Sequence, residues 1–344
     1  MENKRAKYVN SGTIWAFWEG QPPELILRCI ETIRANNRHR RVVILSKDTL
    51  PLFLDPDDYP SFYDEECDGR LRHGTVDDFS SVQYMADWVR ITLLEKYGGV
   101  WFDASVICTS AVETWMAKGV GNEGIDIGID EEKITMFSCH FNPKVHANWS
   151  MAVARNGHPL LRAWRKEFAT ILREAGPRKV PTKFCTDAFE RHPALEKIWF
   201  GQSDCQSYSD SELRPPLPYL WVYLCLQVVL LKQPELHSTI FLRQAVNGPM
   251  YRRYLINIEK GISDAVEISK ETANHLASQP LDEHDHDKFF IKLVGADRLP
   301  IQRCMDGGNY QEGSAIDSLC RVPRRSIRYG SFLRQSVFVS NPRL

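Results

Sequence analysis

Alternating apolar and polar runs near the start of the chain predict a strand, a helix and a second strand. Residues 13–18 form a short apolar and aromatic run, and residues 41–45 are rich in β-branched side chains. Between them, apolar residues recur at helical spacing over 24–35. A strand, a helix and a strand within about 35 residues are typical of a βαβ unit, whose two strands pair in parallel.

A second pattern predicts a helix over 80–96, which a Gly-Gly pair ends. Residues 100–102 then predict a strand, and Asp103 follows it directly. In an open α/β sheet, ligands bind beyond the carboxyl ends of the strands. The sequence therefore predicts an α/β fold in which Asp103 faces a binding crevice.

The rest of the chain carries weaker signals. Residues 51–79 are rich in Pro and Asp and predict irregular loops with short helical turns, and residues 176–218 are Pro-rich and polar. Further elements are predicted as strands over 125–129, 134–138 and 289–294 and as helices over 158–173 and 221–231.

Composition and charge narrow the class of protein. The chain has 344 residues, 43% of them hydrophobic and 25% charged, and these ordinary globular values exclude a disordered or mostly coiled-coil chain. With 43 basic and 44 acidic residues the formal net charge is -1, so no overall field attracts the chain to nucleic acid. The length fits one large domain or two ordinary ones.

The cysteines and the apolar runs predict a cellular compartment. The nine cysteines are odd in number and widely spaced, with no Cys-x-x-Cys pair, which argues against a disulfide framework and a zinc ribbon. Residues 1–10 are polar and lack the apolar core of a signal peptide. The longest apolar run, 219–231, is shorter than the ~18 residues that a membrane span needs. We therefore expect a cytoplasmic protein without a transmembrane segment, at most peripheral at a membrane.

Three residues in the stretch 80–109 carry the candidate chemistry. Asp87 and Arg90 are three positions apart on the predicted helix and therefore point the same way. Asp103 can accept hydrogen bonds from sugar or ribose hydroxyls, or bind a hard cation that bridges two phosphates. Arg90 offers a planar fork of donors. The alternative is an ordinary ion pair within a helix and a carboxylate that caps a turn after a buried strand.

The same stretch, SSVQYMADWVRITLLEKYGGVWFDASVICT, resembles the signature of the capsular polysaccharide synthesis protein family. That family is related to the family-32 sugar transferases and to the large clostridial toxin glucosyltransferases. Its pattern is an Asp-x-x-Arg helix, a Gly-Gly turn, a hydrophobic strand and an Asp-x-Asp element. The segments IWAFWEGQPPELILRCIETIRANN, NWSMAVARNGHPLLRAWRKEF and FFIKLVG are also similar to segments of the family.

The resemblance implies a fold and a domain organisation. The implied fold is α/β of the GT-A type, a Rossmann-like mixed sheet with helices on both faces. The glycosyltransferase domain would cover 1–295, in which 176–235 form a variable helical and loop region on the acceptor side. Residues 296–344 would be an Arg-rich C-terminal extension.

The resemblance also assigns roles to individual residues. Asp103 is the first acid of Asp-x-Asp, and Asp87 and Arg90 hold the hydroxyls of the donor sugar, so these three are the implied catalytic residues. The other implied donor-binding residues are Trp15, Phe17 and Trp18 around the nucleotide base, Ser105 beside Asp103, Asn148 and Trp149 near the sugar, and Lys292 at the diphosphate. Core packing is the alternative for the aromatic side chains, and a place on a surface strand is the alternative for Lys292.

One departure from the family pattern concerns a metal ion. The second acid of Asp-x-Asp is Ser105 here, and a neutral hydroxyl is a poorer ligand for Mn²⁺ or Mg²⁺ than a carboxylate. The resemblance implies such an ion, bound by Asp103 and Ser105 and completed by His284, His286 or Asp287. The alternative for these last three residues is a solvated acidic loop.

The function implied by the resemblance is glycosyl transfer. The donor is a nucleotide-diphosphate sugar, a UDP-sugar in the first place, and the acceptor is a small molecule, a lipid-linked intermediate or a glycan. Transfer proceeds with retention at the anomeric carbon. Two alternatives stay open. The first is a catalytically inactive sugar-nucleotide-binding protein, which the replacement of the second acid by Ser105 motivates. The second is an unrelated α/β protein in which the motif is a coincidence.

Overall fold

The structure is a computed structural model that describes residues 12–64, 70–116, 118–120, 126–139, 142–200, 217–243, 264–280 and 290–322. The chain divides into two compact units. Unit 1 takes its described residues from 1–12, 47–101 and 117–242, and unit 2 takes its own from 13–46, 102–116 and 243–344.

Strands and helices alternate along the described residues. The strands are β1 (Thr13–Phe17), β2 (Arg41–Leu45), β3 (Ser61–Asp64), β4 (Arg70–His73), β5 (Gly99–Phe102), β6 (Val106–Cys108), β7 (Lys118–Val120), β8 (Asp126–Ile129), β9 (Ile134–Cys139), β10 (Asn142–Val153), β11 (Ile240–Arg243) and β12 (Phe290–Lys292). The helices are α1 (Glu24–Asn36), α2 (Val82–Tyr97), α3 (Pro159–Ala175), α4 (Thr182–Arg191), α5 (Ala194–Phe200), α6 (Leu217–Lys232), α7 (Ala265–Ser278), α8 (Arg298–Gly307) and α9 (Ala315–Arg321).

Unit 2 begins with the predicted βαβ unit. β1 and β2 pair in parallel, from Thr13 opposite Arg41 to Phe17 opposite Leu45. The N–H of Trp18 donates to the carbonyl oxygen of Leu45 at 2.9 Å, which extends the pairing one residue beyond β1. Both predicted strands, the helix between them and their parallel pairing are confirmed.

An antiparallel pair in unit 2 brings a distant strand beside the residues that follow Asp103. β6 pairs with β12 so that Lys292 lies opposite Val106. The N–H of Leu293 donates to the carbonyl oxygen of Ser105 at 3.0 Å. A buried cluster fixes this pair against α1, α7, α8 and α9, and its members include Cys29, Ile107, Ala273, Ile291, Ile301 and Ile316. The position of Lys292 therefore depends on a rigid core.

In unit 1, a serine caps the start of α2 and a glycine ends it. The Oγ of Ser81 accepts a hydrogen bond from the N–H of Tyr84 at 3.2 Å, which caps the first turn. The helix ends at Gly98, whose φ of 70° and ψ of -160° lie in a region that favours glycine. A Cβ on Gly98 would lie 3.0 Å from the carbonyl carbon of Arg155. The chain can therefore turn sharply from α2 into β5 only with glycine here.

The strands of unit 1 follow the order β11-β9-β10-β5. β9 and β10 are antiparallel, with Ala147 opposite Phe137 and Met151 opposite Met136. Residues 148–150 therefore bulge out of the ladder, and such a bulge re-aims the side chains that it contains. Parallel pairing in unit 2 and antiparallel pairing in unit 1 confirm the predicted α/β class with mixed strand directions.

The helices of unit 1 pack around aromatic side chains. Trp221 of α6 is fully buried and meets Phe168 of α3 edge-on, with ring centroids 4.5 Å apart. The sequence predicts both helices, but it does not predict the hairpin of β3 and β4. It covers α4 and α5 only by the variable helical and loop region implied for 176–235, without bounds for either helix. Among the described residues, no helix combines the length and the apolar character needed to cross a membrane. The cysteines in the described ranges are all free thiols.

Candidate active site

The Asp103 carboxylate lies in the turn that joins β5 to β6. The N–H of Val106 donates to the carbonyl oxygen of Asp103 at 3.1 Å and closes this turn. The Asp103 side chain is 23% exposed. Ser105, two positions further on, is buried at 2%. The turn therefore leaves the carboxylate within reach of a ligand and directs the serine hydroxyl towards the protein.

Lys292 of β12 holds this turn from the opposite strand. Its Nζ donates to Oδ2 of Asp103 at 2.6 Å and to Oγ of Ser105 at 3.0 Å. The Ser105 hydroxyl in turn donates to the carbonyl oxygen of Leu293 at 3.0 Å. The Lys292 side chain is 12% exposed, so the ion pair is largely shielded from water. The structure thus brings together three of the residues that the resemblance implies.

Asp103 and Ser105, as the structure describes them, do not fit a divalent cation. The ammonium group of Lys292 already lies against the Asp103 carboxylate and would repel a second cation there. The Ser105 hydroxyl donates a hydrogen bond to the carbonyl oxygen of Leu293 and accepts one from the ammonium group of Lys292. Hard cations need oxygen lone pairs that are free to face them.

The remaining metal ligands implied by the resemblance cannot be placed. His284, His286 and Asp287 lie outside the described residues. Within the described residues, no group of three or more His, Cys, Asp and Glu side chains is arranged to hold a metal ion. A Mn²⁺ or Mg²⁺ ion therefore stays a prediction.

The aromatic residues at the end of β1 differ in exposure. Trp15 is fully buried and Phe17 is 7% exposed, so both rings are part of the core. Trp18 is half-buried, and the guanidinium carbon of Arg298 lies 5.1 Å from its ring centroid. The indole Nε1 of Trp18 and the Nε of Arg298 are buried and have no hydrogen-bond partner among the described residues. Of the three aromatic residues, Trp18 is the one that a ligand can reach.

Arg298 is a candidate that sequence reasoning missed. It begins α8, directly after a short turn in which Oδ2 of Asp297 accepts a hydrogen bond from the N–H of Val294 at 3.1 Å. Nothing in the local pattern separates this arginine from the many exposed ones. Only its position over Trp18 in the folded chain marks it.

The electrostatic surroundings of a buried thiol in unit 2 include two positive charges. Cys29 of α1 is completely buried, and burial raises the pKa of its thiol to about 12. The charges of Lys292 and Arg298 lower the pKa of the same thiol and so oppose part of that rise. Both cations therefore lie within electrostatic range of Cys29, whose thiol stays protonated near neutral pH.

In unit 1, Asp87, Arg90 and Asn148 form a closed hydrogen-bonded triangle. The amide Nδ2 of Asn148 donates to Oδ1 of Asp87 at 2.9 Å, and Nη2 of Arg90 lies 3.1 Å from the same oxygen. Nη1 of Arg90 donates to the side-chain oxygen of Asn148 at 2.8 Å and to its carbonyl oxygen at 2.6 Å. The bulge in β10 supplies Asn148 to this triangle.

The members of the triangle differ in what they offer a ligand. Arg90 is 5% exposed, and its guanidinium carbon lies 5.1 Å from the centroid of the Trp101 ring. Its donors hold Asn148 and Asp87, so in this structure Arg90 fixes the positions of its neighbours. The Asp87 side chain is 14% exposed and is the member best placed to meet a hydroxyl group.

Two further residues of β10 lie in packed surroundings. Trp149 is 7% exposed and stacks on Phe137, with ring centroids 5.7 Å apart and an angle of 23° between the rings. Nδ1 of His146 lies 3.0 Å from Nε2 of Gln227. Burial and, to a smaller extent, the charge of His237 lower the pKa of His146 to about 4. His146 is therefore neutral near pH 7 and forms part of the core.

Comparison with solved structures finds similar chains with low identity. The chain is similar to the PaToxG glycosyltransferase, with 12% identity, 87% of each chain covered and a TM-score of 0.32. It is similar to the ligand-free glycosyltransferase domain of the YGT toxin, with 9% identity, 92% of this chain and 100% of that chain covered and a TM-score of 0.37. The UDP-bound form of that domain gives 10% identity, 95% and 96% coverage and a TM-score of 0.38. Comparison with curated proteins finds no match.

A family model decides the assignment. The model is described as capsular polysaccharide synthesis protein, and it matches residues 1–175. The match covers half of the chain and includes Asp87, Arg90, Asp103 and Asn148. The chain belongs to the capsular polysaccharide synthesis protein family.

Proposed function

We propose that the protein is a glycosyltransferase with a GT-A-type fold, and that its donor is a nucleotide-diphosphate sugar, a UDP-sugar in the first place. The observation that carries the proposal is the partly exposed carboxylate of Asp103, which follows a buried strand and is held by Lys292. The ends of strands in α/β sheets are where such ligands bind. Membership of a family of polysaccharide synthesis proteins supports the same activity.

Three residues of unit 2 have a task in this proposal. The ring of Trp18 stacks on the nucleotide base, because every base offers a π-face to an aromatic side chain. The Asp103 carboxylate accepts hydrogen bonds from hydroxyl groups of the ribose or the sugar. Lys292 brings a positive charge to the diphosphate, whose negative charge grows as the sugar leaves.

In unit 1, we assign the sugar hydroxyls to Asp87. A carboxylate accepts two or more hydrogen bonds and so distinguishes the orientation of neighbouring hydroxyl groups. Arg90 and Asn148 are positioning residues, since their hydrogen bonds fix the Asp87 side chain. A side chain held in one rotamer costs less entropy when a ligand binds.

The proposed transfer retains the configuration of the anomeric carbon. The bond between that carbon and the diphosphate oxygen breaks, and its electron pair stays on the oxygen. An acceptor hydroxyl on a small molecule, a lipid-linked intermediate or a glycan forms the new bond from the same face. Its proton passes to the departing phosphate oxygen, so no protein nucleophile is consumed. The protein contributes orientation and stabilisation of the leaving charge.

The decisive experiment is a panel of nucleotide sugars incubated with the protein, with released nucleoside diphosphate as the readout. We expect one donor to be consumed, and we expect Asp103→Asn to lower the rate by at least about 100-fold. Asp48→Asn, an exposed carboxylate in the turn after β2, is the matched control and should keep the rate. If no donor is consumed, or if Asp103→Asn is as active as the wild type, the proposal fails.

A second function has one observation in its favour. Ser105 replaces the second acid of the family pattern, and Lys292 already pairs with the Asp103 carboxylate that would bind a metal ion. A catalytically inactive sugar-nucleotide-binding protein would have the same features. Saturable binding of a nucleotide sugar, without its consumption in the presence of Mn²⁺ and a range of acceptors, would identify this function.

A further inference from the structure

We infer that the diphosphate of the donor is held by two basic side chains, Lys292 and Arg298, in place of a divalent cation. The inference rests on the proposed nucleotide-diphosphate donor and adds to it a binding residue, Arg298, and independence from metal. Two positive charges equal the formal charge of one Mg²⁺ or Mn²⁺ ion. Lys292, Arg298, Asp103 and Trp18 all belong to unit 2.

Lys292 supplies a positive charge directly at Asp103. Where a metal-binding pair of acids would leave its oxygens open, Asp103 and Ser105 both bond the Lys292 ammonium group. The cation of this site is therefore supplied by the chain itself, on a strand that the core of unit 2 holds in register. A lysine ammonium group binds phosphate as a point charge.

Arg298 lies over the ring of Trp18. Its guanidinium carbon is 5.1 Å from the ring centroid of Trp18, the residue to which we assign the nucleotide base. Its buried Nε has no hydrogen-bond partner among the described residues, and neither has the indole Nε1 below it. A buried donor without an acceptor is costly, and an anionic oxygen would relieve that cost. A guanidinium fork matches the geometry of phosphate oxygens.

Lys292 and Arg298 are six positions apart in the chain, and both lower the pKa of the same buried thiol, Cys29. The short turn between them, Gly295–Asp297, begins at a glycine on which a Cβ would meet no atom within 4 Å among the described residues. Gly20, just after Trp18, has the same open surroundings. The chain is therefore open at two glycines, one between the two cations and one next but one after Trp18.

The test is binding of UDP and of uridine measured by isothermal titration calorimetry, with either EDTA or MnCl₂ in the buffer. We expect UDP to bind the wild type as tightly in EDTA as in MnCl₂. We expect Arg298→Gln to weaken UDP binding by about 10-fold to 100-fold, since it removes charge-assisted hydrogen bonds, and to leave uridine binding unchanged. Arg298→Lys keeps the positive charge without the guanidinium fork, so its UDP affinity should lie between those of the wild type and Arg298→Gln.

The matched control is Arg303→Gln, an exposed arginine on the same helix. It should change UDP affinity by less than about fivefold, because an exposed charge contributes little. Thermal unfolding checks that each variant is folded, and Arg298→Lys serves if Arg298→Gln is not. UDP binding that requires MnCl₂, or an Arg298→Gln variant no weaker than the control, overturns the inference alone. A wild type that binds UDP in neither buffer overturns the proposed UDP-sugar donor as well.

Discussion

The ion pair between Asp103 and Lys292 makes the effect of its removal on stability calculable. Replacing Asp103 with Ala leaves the largely buried ammonium group without its carboxylate. Losing a hydrogen bond between charged groups costs about 1.5–3 kcal/mol. At about 2–4 °C per kcal/mol, the melting temperature should fall by roughly 3–12 °C. From the sequence alone, a carboxylate at a strand end would contribute little to stability, and the ion pair is the reason to expect more.

A double-mutant cycle isolates the pair. Asp103→Ala, Lys292→Met and the double variant are unfolded with urea, and we expect a coupling energy of about 1.5–3 kcal/mol. The exposed pair of Glu267 and Lys270 in α7 is the control cycle, for which we expect less than about 0.5 kcal/mol. If the single effects add within about 0.5 kcal/mol at Asp103 and Lys292, the pair contributes nothing in solution and the reasoning is refuted.

Three other predictions test unit 1. Asn148→Ala removes hydrogen bonds to both Asp87 and Arg90, so the free energy of unfolding should fall by about 1–3 kcal/mol in urea titrations. The KM for the donor should rise, and an unchanged KM would remove Asp87 from the sugar site. His146 has a folded pKa of about 4, below its ordinary 6.5, so stability should be fully present above pH 6.5 and decrease by about 3 kcal/mol as pH falls to 4. The variant His146→Gln should lose this pH dependence, and a parallel decline in both proteins would contradict the assignment. Gly98→Ala should cost about 1–3 kcal/mol through its backbone conformation, measured by thermal unfolding, and a stable variant would exclude that strain.

The elements that carry the candidate site were predictable because their signals are local. The helix α2 has an apolar stripe, a serine cap and a glycine end, and each of these acts within a few residues. The parallel pairing of β1 and β2 follows because the helix between them returns the chain to the end of the sheet where β1 began. The place of Asp103 directly after a buried strand was also predictable, because the apolar run that precedes it is a local signal.

Irregular elements escaped prediction because neighbours far away in sequence define them. The long strand β10 contains a bulge, so its apolar residues do not alternate regularly. The helices α4 and α5 lie in a polar, Pro-rich stretch whose composition is typical of loops. Packing against the rest of unit 1 outweighs their weak local preference.

Local patterns are enough to predict the α/β class, the βαβ unit and the elements that carry the acidic and basic residues. Which of these residues meet depends on how the distant segments fold together. Lys292 reaches Asp103 across 189 positions because β12 pairs with β6 in one register, and a shift of one residue would turn its side chain to the other face. Arg298 lies over Trp18 because a core from four helices orients α8. Local patterns record the preferences of single segments, whereas such contacts arise from the free energy of burying several segments together.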